Sequence, residues 1–80
     1  MDKGEIMKRA YLKRMRSITF DYTNYKGETG KRNAQVISIF YGSNQWHKND
    51  QWLMEGYDMD KKDFRYFAMN AMKNVQEIKQ

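Results

Sequence analysis

The spacing of apolar residues changes twice along the chain, and the changes divide it into segments. Over residues 5–15, EIMKRAYLKRM, the apolar positions Met7, Tyr11 and Met15 recur every fourth residue, with Ile6 and Ala10 beside them. Arg9, Lys13 and Arg16 fall on the other side, so the period predicts an amphipathic helix. From Ser17 the period drops to two. Ile18, Phe20 and Tyr22 alternate with Thr19, Asp21 and Thr23, the pattern of a strand buried on one face. NYKGETGK then brings two glycines among polar residues and reads as a hairpin loop. In the next strand, NAQVISIFYG, Ala34 and Val36 share one phase while Ile37, Ile39 and Tyr41 share the other. A slip of one residue inside an apolar strand predicts a bulge or bend near Val36–Ile37. GSNQWHKND is a loop, QWLMEGYD a third strand, MDKK a tight turn and DFRYFAM a fourth strand. The tail is expected to hold one helical turn and a short strand through Val75 and Ile78.

The expected fold is mainly β, of α+β class. A basic amphipathic helix over residues 1–16 precedes a small SH3-like or Sm-like antiparallel barrel over residues 17–80. Eighty residues lie near the lower limit for a self-sufficient core. With no cysteine to reinforce it, twelve aromatic residues must supply the packing. No apolar run is long enough to span a membrane and none near the start resembles a signal peptide, which sets the expectation of a soluble, cytoplasmic protein without a membrane partner.

The net charge is +5, but it is unevenly placed. Residues 1–16 carry six basic side chains against two acidic ones, whereas the remainder carries nine against eight. Lys8, Arg9, Lys13 and Arg16 of the N-terminal segment are therefore candidate phosphate contacts, set against the plainer reading of a solvated helix face. Self-association through that helix stays open as well.

Little in the chain points to catalysis or to metal. One histidine, His47, and no cysteine leave a zinc site without its usual ligands. The acidic hairpin DMDKKD lacks the glycine and the terminal glutamate of a calcium loop, and its lysines mark an exposed turn. Gly30-Lys31-Arg32 lacks the hydroxyl residue that ends a phosphate-binding loop. The expectation is a non-enzymatic protein with no metal and no cofactor. Recognition is the better-supported role. Trp46 and His47 sit on a loop free to touch a ligand, although His47 is also read as simply packed on an aromatic. Trp52 is assigned to the core or its rim. Arg65 shares a strand face with Phe67 and Met69, so it must emerge at a rim, pair with a carboxylate, or meet an anionic ligand.

The third and fourth strands resemble those of the WYL domain, whose pattern is a Trp-Tyr-Leu strand, a short turn and an Arg-x-Phe-x-Leu strand. Trp52 matches the tryptophan, with Leu53 and Met54 at the next two positions; Arg65, Phe67 and Met69 match the second strand. Ala71 stands where the family has a second arginine. The opening hairpin ITFDYTNYKGETGKR and the YGSNQWH loop are similar to those of short stand-alone members from bacteria and phages, and the resemblance extends over residues 17–78. It implies a ligand- or nucleic-acid-sensing module, with Trp52 and Arg65 as the remaining pocket residues. Eighty residues leave no room for the DNA-binding helix-turn-helix that usually accompanies such domains. The expected function is a bacterial or phage accessory regulator that binds nucleic acid or a nucleotide-type anion. The alternative is an inhibitor that binds and blocks a host protein of defence or transcription.

Overall fold

The computed structural model describes residues 15–79. Five strands follow one another: β1 (Ser17–Thr23), β2 (Thr29–Gly42), β3 (Gln51–Asp58), β4 (Asp63–Ala68) and β5 (Met72–Ile78). A single turn of 3-10 helix, Met69–Ala71, joins the last two. All pairings are antiparallel, in the order β4-β3-β2-β1-β5. Gly27 takes φ 82° in the β1–β2 turn, and Lys62 takes φ 55° in the β3–β4 turn.

β4 and β5 form opposite edges of this sheet, yet only three residues separate them. In a flat sheet the edges of five strands lie about 19 Å apart. The four Cα steps from Ala68 to Met72 reach at most roughly 14 Å. The sheet must therefore curl, and its inner face shows how far. Phe67 of β4 meets Phe20 and Tyr22 of β1 edge to face, at centroid separations of 5.2 and 5.1 Å, across the two strands between them. The Ala68 N–H donates to the Tyr22 hydroxyl at 3.0 Å. Phe20, Tyr22, Ala34, Met54 and Phe67 form the buried core, with Ile18, Val36, Met69, Ala71 and Met72 packed around it.

Curling does not amount to closure. Among the described residues β4 pairs only with β3 and β5 only with β1, so the sheet stays open. This corrects the closed SH3-like or Sm-like barrel expected from the sequence. The 3-10 turn carries the chain straight across the gap, and the two edge strands never run side by side as a ladder. The α+β class is corrected too, since the described residues contain no α-helix. The helix expected over residues 5–15 lies outside the described residues except for Met15, which sits in a bend. Arg16 is already committed to the sheet, because its carbonyl accepts the Val36 N–H at 2.8 Å.

The predicted irregularity in β2 is present as a bulge at Ile37. Val36 pairs with Gly56 and Ser38 with Glu55, leaving Ile37 unopposed. Its effect is to exchange the phase that faces inward: Ala34 and Val36 before it, and Ile39 and Tyr41 after it, all lie on the inner face with Gly56, Met54 and Trp52. A second register shift interrupts β1–β5 between Thr19 and Asp21. There Asn74, at φ 55°, donates its amide to Asp21 Oδ2 at 2.8 Å. Leu53 is fully buried on the outer face, between its ladder partners Phe40 and Ala68.

The Tyr22 hydroxyl links β1 to the far edge of the sheet and satisfies a buried N–H. Tyr22→Phe keeps the ring contacts but orphans that donor, so it should cost about 1–3 kcal/mol. Urea denaturation checks this, with an unchanged midpoint counting against the link.

Candidate functional site

Three charged residues lie on the inner face beside the aromatic core: Arg32 of β2, Asp58 of β3 and Arg65 of β4. Asp58 follows Met54 and Gly56 at strand spacing, so its carboxylate points inward and is fully buried. Its Oδ1 accepts the N–H groups of Asp60 and Lys61, both at 3.0 Å, and its Oδ2 lies 3.5 Å from Arg32 Nη1. The β3–β4 turn is exposed over residues 60–63, as its lysines indicate, but it is anchored on a buried carboxylate at Asp58, which the sequence reading had counted with the exposed turn. The signal was available, since Asp58 has the parity of the core, and so does Arg32 two residues before Ala34. The charged neighbours Asp60, Lys61 and Lys62 concealed it.

Arg65 sits opposite Gly56 on the edge strand and is half-buried. Its Nε is shielded from solvent and has no hydrogen-bond partner. The carboxylate close to this part of the face is engaged by Arg32 and by the turn, not by Arg65. Of the roles open to Arg65 from the sequence, the structural ion pair is not made among the described residues. Gly56 helps to shape this region. A Cβ there would meet the Gln35 carbonyl oxygen and the Met54 methyl at 3.3 Å and the Phe67 ring at 3.4 Å.

Trp52 lies on the same face at its other end. It is 57% exposed and meets the Tyr41 ring edge-on at 5.5 Å. That is a rim position. Trp52 and Arg65 are not brought into contact: the Met54–Phe67 pair stands between them, and four residues of strand separate their rows by roughly 13 Å. Tyr41 is a site residue that the sequence reading did not single out. Its phase beyond the bulge was the available signal.

Trp46 and His47 are placed by a turn in the β2–β3 loop. Asn44 Oδ1 accepts the N–H groups of Trp46 and His47 at 2.9 and 2.7 Å, and the Asn44 N–H donates to the His47 carbonyl at 2.9 Å. Trp46 is left 73% exposed. His47 Nε2 lies 3.3 Å from the Tyr66 carbonyl oxygen and donates to it when that nitrogen carries the proton, so this histidine ties the loop to β4. Arg16 is exposed and lies 3.6 Å from Glu77, a surface pair that contributes little. Lys8, Arg9 and Lys13 lie outside the described residues.

On the outer face Glu55 stands opposite Tyr66 and accepts the Ser38 hydroxyl at 3.5 Å. The negative charge of Glu55 pushes the Tyr66 phenol above its ordinary pKa, with smaller contributions from desolvation and from their hydrogen bond. Among the described residues no cluster of three or more His, Cys, Asp or Glu side chains is placed to hold a metal ion. No helix there is long and apolar enough to cross a membrane.

A short antiparallel sheet curled round an aromatic core, with a Trp-bearing strand beside an Arg-x-Phe strand, defines a small all-β module. Residues 7–77 match the model of the WYL domain, and the chain belongs to that family. The resemblance read from Trp52–Met54 and Arg65–Met69 is therefore correct. Over 66 residues the chain is also 30% identical to a Bacillus subtilis (strain 168) protein named as an uncharacterized HTH-type transcriptional regulator, YobV. That match covers 82% of this chain but only 19% of the relative, so the chain spans about a fifth of that protein's length.

The Arg32–Asp58 pair generates a stability prediction. Asp58→Ala leaves the half-buried Arg32 guanidinium without its carboxylate and releases two turn N–H groups, and should cost about 3 kcal/mol. A urea midpoint close to that of the unmodified protein would show that the turn does not depend on the carboxylate.

Proposed function

We propose that this WYL domain is a non-catalytic binding module of a regulator, and that it takes an anionic ligand of nucleic-acid type through Arg65. The observation that carries the reading is the half-buried Arg65 guanidinium, whose shielded Nε has no partner while the neighbouring carboxylate is committed to Arg32. A buried donor left unmade costs free energy that a phosphate oxygen would recover. Arginine suits this task because its planar fork meets two phosphate oxygens at once. The regulatory setting is supported by family membership and by the relative named as a transcriptional regulator. A cytoplasmic accessory regulator carried by a bacterium or its phage fits this reading.

A second reading is favoured by a different observation. Ile39, Tyr41, Trp52 and Val75 are all more than half exposed. Aromatic and aliphatic side chains in this number also suit an interface with another protein, such as a host component of defence or transcription that the module would block. Salt separates the two, because phosphate binding weakens steeply as ionic strength rises and an aromatic interface does not.

Arg65→Ala tests the first reading when thermal melting and binding are measured side by side. Fluorescence anisotropy with a short labelled single-stranded DNA should show affinity falling by about tenfold or more, the scale of a charge-assisted hydrogen bond. The melting temperature should stay near that of the unmodified protein. Arg65→Lys should recover only part of the affinity, since it restores the charge without the fork. Unchanged binding in Arg65→Ala, or a collapsed melt, would overturn the assignment.

A further inference from the structure

β4 is an edge strand, and side chains from three separate parts of the chain cap its outward backbone groups. The direction of those groups follows from the ladder. The Met59 N–H donates to the Asn33 carbonyl, so Met59 faces β2. Backbone groups alternate along a strand, so Tyr57, Glu55 and Leu53 face β2 as well, and Asp58, Gly56 and Met54 face β4. Their partners Asp63, Arg65 and Phe67 are bonded inward, which turns the N–H and C=O groups of Phe64, Tyr66 and Ala68 toward the edge. Each of these three residues meets a cap. The Phe64 N–H donates to Asp63 Oδ1 at 2.9 Å, the Tyr66 carbonyl oxygen lies 3.3 Å from His47 Nε2, and the Ala68 N–H donates to the Tyr22 hydroxyl at 3.0 Å.

We propose that the β4 edge is a pairing surface for a second copy of this chain, and that His47 and Asp63, with Tyr22, hold it shut. The assignment is independent of the anion reading at Arg65 and gives the single histidine a role of its own.

An edge strand with open backbone groups is a template for another strand unless something blocks it. β4, DFRYFA, has no lysine and no proline, and its pairing with β3 runs without a bulge. The caps supply the block instead. Asn44 Oδ1 accepts the N–H groups of Trp46 and His47, which sets the His47 ring against β4. The β2–β3 loop thus occupies the lane, about 4.8 Å from β4, that an added strand would take. Tyr22 is fixed by the core, so His47 and Asp63 are the caps that can be removed without touching the aromatic triad.

The strand is complementary to itself. A two-fold axis at Tyr66 lays β4 antiparallel to its own copy with the same faces aligned. Tyr66 then stands opposite Tyr66 and Phe64 opposite Ala68, which covers rings now 38% and 39% exposed. Arg65 falls opposite Phe67. Moving the axis to Arg65 would set two guanidinium groups opposite each other, and like charges in that position are destabilising.

Two double variants of the full chain with equal net charge make the test. His47→Ala with Asp63→Ala removes both caps. His47→Gln with Asp63→Asn keeps a donor for the Tyr66 carbonyl and an acceptor for the Phe64 N–H. In sedimentation velocity the alanine pair should dimerise at a concentration about tenfold or more below that required by the unmodified chain. The conservative pair should behave as the unmodified chain does. The chain has no cysteine, so Tyr66→Cys added to the alanine pair reports the contact directly. Oxidation should link two copies through position 66, and Gln76→Cys on β5 should give no link. An alanine pair that stays as monomeric as the unmodified chain would overturn the proposal, and so would equal association of both double variants. Linking through Gln76→Cys alone would assign the contact to β5. Linking through either cysteine alike would mark association of unfolded chains, and both results would also overturn it.

Discussion

Phe20, Tyr22 and Phe67 meet edge to face, although β1 and β4 are separated by two strands in the order of the sheet. This meeting is possible only if the sheet curls, and the curl in turn allows three residues to connect its opposite edges. The aromatic triad and the short connection are two expressions of one constraint. In a chain of eighty residues without disulfides, a flat sheet would leave half of its apolar side chains in water. Curling buries one face against itself. The Tyr22 hydroxyl adds a directional bond to Ala68, so the curl has a fixed extent as well as an apolar driving force.

The candidate site is a consequence of the same curvature. The triad occupies the middle of the inner face and pushes the polar functions to its two ends. At one end Asp58 holds the β3–β4 turn and pairs with one Arg32 terminal nitrogen, while Arg65 has no protein acceptor among the described residues. At the other end the bulge at Ile37 rotates Tyr41 onto the inner face beside Trp52. Without that extra residue Tyr41 would point to the outer face and Trp52 would lose its ring neighbour. A local irregularity of the strand thus builds one half of the site, and a buried ion pair frees the charge in the other half.

Legibility in the sequence follows the range of the interactions concerned. Strands β1, β3 and β4 and the position of the bulge are written in nearest-neighbour alternation, which a residue carries whatever its partners are. The open sheet is not written there. Whether β4 and β5 pair depends on how the 3-10 turn at Met69–Ala71 crosses from one edge to the other, a long-range matter without a local pattern. Asp58 is an intermediate case: its parity with Met54 and Gly56 was readable, but a charged residue beside Asp60, Lys61 and Lys62 reads first as a solvated turn. Arg65 was identified by parity and by the family pattern together. What it lacks, a carboxylate partner, depends on Arg32, which lies thirty-three positions earlier.

The central claim is that Arg65, and not Arg32, is the guanidinium available to an anion. Heteronuclear NMR can observe the Nε–Hε groups of both arginines while a short single-stranded DNA is titrated into the protein. The account predicts that the Arg65 resonance shifts and saturates with the bound fraction while the Arg32 resonance stays in place, held by Asp58. An Arg65 resonance that does not move, or two resonances that drift together as they do on adding plain salt, would contradict it.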